Sequence, residues 1–151
     1  MLHVVLFEPQ IPPNTGAIGR LCVATTTQLN LIEPLGFSLD NKHLKRAGLD
    51  YWPHLDFRVW PDLEAYLAAN PKRRIIAASA RRGQPHHLFP FRPGDSFLLG
   101  PEETGLPEAV WSRFPDQVNI PFWGQVRSLN LAEATAVLVY EFYRQTGRLD
   151  Q

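Results

Sequence analysis

Residues 2–7, LHVVLF, are apolar at nearly every position. A strand wet on one face alternates apolar and polar residues, whereas a strand covered on both faces does not. This one run therefore asks for packed structure on both of its sides. Residues 29–33, 57–60, 74–79, 96–99 and 118–120 read as five more short strands. Most are separated by stretches of helical period. One begins at Gly16 and puts Ile18, Leu21, Cys22 and Thr25 on one face; a short basic helix covers 41–47, with Asp40 or Asn41 as its N-cap. Another opens at Pro61-Asp62 and runs to Ala69, and a fourth goes from Pro107 to about Ser112. The last runs from about Leu129 to Thr146 and stops at Gly147. Residues 8–15 carry Pro9, Pro12 and Pro13 and read as a loop. The expected fold is α/β: a six-stranded, mostly parallel sheet with helices on both faces. A chain of 151 residues without internal repeats, its 14 prolines spread between elements, reads as a single domain over residues 1–151.

Composition removes several classes. Hydrophobic residues at 44% are enough for a core and exclude disorder as the dominant state. No run approaches the roughly 18 apolar residues of a membrane span. The start of the chain has no basic region and no cleavage site of a signal peptide, and the one cysteine, Cys22, fits a reducing cytoplasm. Cys22 lies on the apolar face of its helix and reads as a core residue. Fifteen basic residues balance fifteen acidic ones, which argues against a nonspecific nucleic-acid binder. The last helix is apolar nearly all round: Leu131, Ala134, Val137, Leu138, Val139, Tyr140, Phe142 and Tyr143 cover more than one face. In so small a domain, one face is expected to meet a second copy of the chain.

The loop after the first strand, EPQIPPNTG, is neither a dinucleotide fingerprint nor a P-loop. The specialised loops come late. GPEETGLP (100–107) follows the fifth expected strand and IPFWGQVRSLN (120–130) the sixth, both at carboxyl ends, where open parallel sheets place ligands. Taken together and in order, NTGAIGRLC, LLGPEETGLP and IPFWGQVRSLNLAEATAVLVYE resemble the three motifs of the SpoU-type branch of the SPOUT RNA methyltransferases. EPQIPPNTG, IEPLGF and RAGLDYW are similar to the small single-domain group that methylates the ribose of the tRNA wobble nucleotide, cytidine or modified uridine at position 34. The resemblance spans residues 2–145.

The resemblance implies a C-terminal deep trefoil knot, a homodimer, S-adenosyl-L-methionine as methyl donor with S-adenosyl-L-homocysteine as product, and the tRNA anticodon stem-loop as substrate. It implies cofactor contacts from Ser79, Gly100, Ile120, Ser128 and Leu129, and chemistry from Arg20, Asn14, Ser128 and Asn130. Arg20 stays protonated, so holding an RNA phosphate suits it better than acting as a base. Asn14 is equally readable as the cap of a helix starting near Gly16. Glu102 is a rival base, or else a loop carboxylate bonded to backbone N–H groups. Where the family often has arginine before the second glycine of its middle motif, this chain has Thr104, so no contact from that arginine is expected. The reaction needs no metal, and His86-His87 lack zinc-type spacing. Alternatives are a SpoU-type enzyme for another tRNA or rRNA site, or a noncatalytic RNA-binding or assembly protein of the same fold.

Charge is uneven along the chain. Between Glu64 and Asp95 there is no acid, yet Lys72, Arg73, Arg74, Arg81, Arg82 and Arg92 occur. A second cluster holds Lys42, Lys45 and Arg46. Such a stripe supplies phosphate contacts whatever the net charge. The expected RNA contacts are Arg20, Lys42, Lys45, Arg46, Arg81, Arg82 and Arg127, with Trp52, Phe122 and Trp123 available for stacking.

Overall fold

The computed structural model describes residues 1–40 and 51–151. The expected basic helix at 41–47, and with it Lys42, Lys45 and Arg46, lies outside the described residues.

Seven strands form one sheet: β1 His3–Phe7, β2 Gln28–Ile32, β3 Phe57–Trp60, β4 Ile75–Ser79, β5 Gln84–Pro85, β6 Ser96–Leu99 and β7 Gln117–Asn119. Their order is β3-β2-β1-β6-β4-β7-β5, and every pairing is parallel. The expectation of six strands is corrected to seven. The added strand has two residues, one of them a proline, so it carries no run that a periodicity reading can detect. It is recruited from outside itself. Gly83 adopts φ +99°, and a Cβ there would come within 2.8 Å of the Gln117 backbone. The Asn119 Nδ2 then donates to the Gly83 carbonyl at 2.7 Å.

Four α-helices are described: α1 Pro12–Ala24, α2 Leu63–Ala69, α3 Glu108–Trp111 and α4 Leu131–Gln145. Alternate strand residues feed two cores. Val4, Leu6, Phe97 and Leu99 face α1 and α4, joining Ile18, Cys22, Leu138 and Phe142. Val5, Ala77 and Leu98 face the other way, joining Leu63, Tyr66, Trp111 and Phe114. The period of two explains why β1 has no polar side, and helices do cover both faces as expected.

The start of α1 is four residues earlier than the glycine from which its period was read. Pro12 and Pro13 occupy the first turn, where a missing N–H is no loss, and Ile11 flanks it with no side-chain cap. Asn14 is therefore inside the helix and does not cap it. At α2, Asp62 is the cap, its Oδ1 accepting from the Ala65 N–H at 2.8 Å. Gly147, at φ +82°, follows α4 as expected. Helix α4 is not buried all round: Thr135, Leu138, Val139 and Phe142 are buried, whereas Val137 and Tyr140 are 39% and 48% exposed.

At the amino ends of the strands, the expected basic stripe breaks. Arg74 makes a bidentate pair with the buried Asp95, both bonds at 2.8 Å. Arg73 donates to the carbonyls of Gly94, Asp95 and Met1. These two arginines lock the amino ends of β4, β6 and β1 together, whereas Arg81 and Arg82 follow the carboxyl end of β4.

Candidate active site

The carboxyl ends of the neighbouring strands β6, β4 and β7 deliver Gly100, Ser79 and Ile120 to one place. A cleft of about 370 Å³ opens there, lined by those three residues together with Glu102, Phe122, Arg127, Ser128 and Leu129. All five residues expected to hold a cofactor are thus brought together. Leu131, Ala134 and Leu138 of α4 also line it. Their i, i+3, i+7 spacing was read only as part of an interface; one edge of that face is the cleft wall.

The walls follow from local chemistry. Residues 100–106 curl back so tightly that a Cβ on Gly100 would lie 2.2 Å from the Leu106 nitrogen. Gly105 turns the chain at φ +68°, its N–H donating to the Pro101 carbonyl at 2.8 Å. Ser79 Oγ accepts from the N–H groups of Arg81 and Arg82 at 3.4 and 3.3 Å, which fixes the exit from β4.

Glu102 anchors this loop to the start of α1. Its two oxygens accept from the backbone N–H groups of Gln10 and Ile11 at 3.0 and 2.6 Å. A carboxylate is well placed beside a helix N-terminus. Of the two roles weighed for Glu102, this geometry is the loop carboxylate bonded to backbone N–H groups. Asn14 Nδ2 reaches the same carboxylate at 3.5 Å, and Asn14 Oδ1 accepts from Asn130 Nδ2 at 3.1 Å. Asn130 Oδ1 in turn accepts from Ala132 N and Glu133 N at 2.8 and 3.2 Å, capping α4. One hydrogen-bonded chain, Glu102–Asn14–Asn130–α4, therefore joins the start of α1 to two loops that lie 88 and 116 residues further along the sequence.

The arginines divide by what they touch. Arg20 is exposed on α1 and is not among the cleft-lining residues. Arg127 lines the cleft and is exposed. Arg81 lies 4.5 Å over the Phe122 ring and donates to the Val126 carbonyl at 3.1 Å. Arg82 pairs with Glu108 and lies 5.0 Å over Trp111. That Arg82–Glu108–Trp111 rim was missed, because no spacing in sequence links residues on separate loops. Cys22 is buried, and burial pushes its thiol up to about 12, as suits an inert core residue. Among the described residues, no group of three or more His, Cys, Asp or Glu is arranged to hold a metal ion.

The sequence model of the SpoU rRNA Methylase family matches residues 1–140. A tRNA (cytidine(34)-2′-O)-methyltransferase of Aeromonas hydrophila subsp. hydrophila is 47% identical over 149 residues, covering 97% of this chain and 96% of that protein. A solved structure concerned with the 2-OH methylation of C/U34 on tRNA superposes with a TM-score of 0.94 at 50% identity, covering 98% and 97% of the two chains. The SpoU methyltransferase AviRb from Streptomyces viridochromogenes, in complex with the cofactor AdoMet, superposes with a TM-score of 0.80 at 26% identity. That match covers 97% of this chain and 58% of AviRb.

Proposed function

The chain belongs to the SpoU rRNA methylase family, and from that premise we propose that it methylates the ribose 2′-hydroxyl of tRNA nucleotide 34, cytidine or modified uridine, in the cytoplasm. The observation that carries this reading is the Glu102–Asn14–Asn130 chain, which ties the first sequence motif to the two motifs whose loops line the cleft. The relatives named above support the substrate.

The cleft fits S-adenosyl-L-methionine. Its volume of about 370 Å³ lies within the roughly 300–1,000 Å³ usual for small-molecule sites. Gly100 leaves backbone bare where any side chain would collide, and Ile120, Leu129 and Leu138 offer apolar walls for a flat base. When bound, this cofactor supplies a methyl group on a sulfonium and is left as S-adenosyl-L-homocysteine. The residues of the chain orient, screen and position. Ser79, Gly100, Ile120, Ser128 and Leu129 hold the cofactor. Asn14 and Asn130 keep the loop of Ser128 in register with the loop of Glu102. The role given to Glu102 is to anchor the loop, since each of its oxygens accepts a backbone N–H from the start of α1. Arg20, a permanent cation, holds an RNA phosphate and so presents the 2′-hydroxyl; its work is positioning, which can account for a large share of a group-transfer barrier. Arg127, at the cleft, and Arg81 add phosphate contacts, whereas the charge of Arg82 is already met by Glu108.

A homodimer and the C-terminal trefoil knot of the SPOUT fold belong to the same proposal. The exposed Val137 and Tyr140 on the outer side of α4 support the first. The convergence of the loops after β6 and β7 on one cleft supports the second.

Labelled S-adenosyl-L-methionine incubated with the protein and total tRNA from a strain lacking this activity tests the reading. Label is expected at the ribose of nucleotide 34. No incorporation into any RNA, with cofactor binding verified, sinks the enzyme reading. In the same assay Arg20→Ala is expected to lose turnover and keep its cofactor affinity. Normal turnover in that variant makes Arg20 a bystander.

A further inference from the structure

Trp123 is 94% exposed. Tryptophan is on average a heavily buried residue, and an indole left in water forgoes the burial that dominates aromatic energetics. Its display is enforced by its neighbours. Phe122, one residue before, turns into the cleft and is covered by the Arg81 guanidinium at 4.5 Å. The same guanidinium donates to the Val126 carbonyl at 3.1 Å. Arg81 thus ties both ends of residues 122–126, and Trp123 and Gly124 form the crest between them. A Cβ built on Gly124 meets nothing within 4 Å, so the crest is open on that side too. Among the described residues, no aromatic ring or cation is stacked on the Trp123 indole.

The surroundings select the occupant. Between Asp116 and Glu133 the chain has no acidic residue, and it carries Arg127, which lines the cleft beside the crest. An exposed π-face near the exposed Arg127 at the mouth of the cleft is the chemistry that meets single-stranded nucleic acid. Splayed bases stack on aromatic rings while neighbouring phosphates meet cations. We propose that Trp123 is a stacking platform for the base adjoining the target nucleotide, so that the loop of RNA is held with the target ribose turned into the cleft. Trp123 is a positioning and specificity residue in this role. The inference rests on the function proposed above.

An anticodon stem-loop transcript and the full chain test it, with wild type, Trp123→Ala and Trp123→Phe compared. Trp123→Ala is expected to raise the KM for RNA about ten-fold or more, in line with the cost of losing one base stack. Cofactor affinity and sedimentation should not change. Trp123→Phe, which keeps a ring, should recover most of the loss. A transcript made abasic at the nucleotides flanking position 34 should erase the difference between wild type and Trp123→Ala. As a readout that does not depend on the alanine variant folding, RNA should quench wild-type fluorescence more than that of Trp123→Phe. An unchanged KM in a folded Trp123→Ala, with normal wild-type activity, overturns this inference alone. A slower-sedimenting Trp123→Ala also overturns it, by making Trp123 a contact between copies. Equal quenching in wild type and Trp123→Phe overturns it as well. Wild-type protein that methylates no RNA overturns the function and this inference together.

Discussion

Asn130 and Asn14 show how much one amide can carry. The oxygen of Asn130 caps α4 and its nitrogen holds Asn14. Asn130→Asp separates the two tasks. A carboxylate still accepts from Ala132 N and Glu133 N and suits a helix N-terminus, but it cannot donate to Asn14 Oδ1. We expect methyl transfer to fall about ten-fold, the size of one lost hydrogen bond to a positioned group, while the melting temperature is held. A fall in both, by calorimetry and single-turnover assay, contradicts the division. His3 carries a prediction about pH. Burial, followed by the nearby Arg73 and the chain's amino terminus, lowers its imidazole from 6.5 to about 4. The neutral ring shares a hydrogen bond of 2.9 Å with the Tyr66 hydroxyl, which in turn meets Ser96 Oγ at 2.8 Å. Above pH 6.5 the ring is neutral in both folded and unfolded chains and adds no pH dependence. As pH falls from 6.5 towards 4, the unfolded chain takes up a proton that the folded chain refuses, so stability drops across that window. His3→Asn should flatten the melting temperature between pH 6.5 and pH 4 relative to wild type; parallel curves would remove His3 from the account. Asn14 was legible as a special residue, and its helix-capping role was not borne out. Two prolines in the first turn move the helix start ahead of it, and its partner Asn130 lies 116 positions away.

Among the elements, legibility followed the strength of the local signal. β1 and β6 were plain because each has a run of residues that needs burial on both sides. β5 was not, because Gln84-Pro85 has no β pattern of its own. It is a strand only through the turn at Gly83 and the hold of Asn119 on that turn. Gly83→Ala forces a side chain into a φ of +99° and to within 2.8 Å of Gln117 backbone. A destabilisation of about 1–3 kcal/mol is expected. It should be read as a lower denaturant midpoint, with faster amide exchange at residues 83–85 and 117–119. Unchanged exchange there would mean that β5 does not depend on this glycine. The loop after β6 behaves likewise. Its glycines could be read, but the reason for Gly100, an approach of 2.2 Å to Leu106 nitrogen, exists only once the loop has folded back.

For the whole molecule, the equality of fifteen positive and fifteen negative charges hides a separation in space. Arg73 and Arg74 are spent on locking the amino ends of the strands, and Arg82 is paired with Glu108. Arg127 remains at the cleft, and Arg81 stands next to it. RNA binding should therefore be salt-sensitive through few contacts. Arg127→Ala should lower the slope of log affinity against log salt by about one, whereas Lys72→Ala, at the opposite end of the sheet, should leave it unchanged. Equal effects of the two variants would restore the continuous stripe that the sequence suggested.

By itself the sequence determined the class of fold, the places of most strands and helices, and the three motifs from which the family follows. Those properties rest on short-range periodicity and on the residue types a turn or a flat ligand will tolerate. Only the tertiary structure decided that the loops after β6, β4 and β7 converge on one cleft and that Asn14 of the first motif is bonded to both Glu102 and Asn130. It likewise decided that Glu102 is bonded to the start of α1, that Arg73 and Arg74 of the basic stripe lock strand ends, and that Trp123 is held out in water. Each of these depends on contacts between residues distant along the chain. Such contacts arise from the order in which strands pair in the sheet, and no periodicity in the sequence encodes that order.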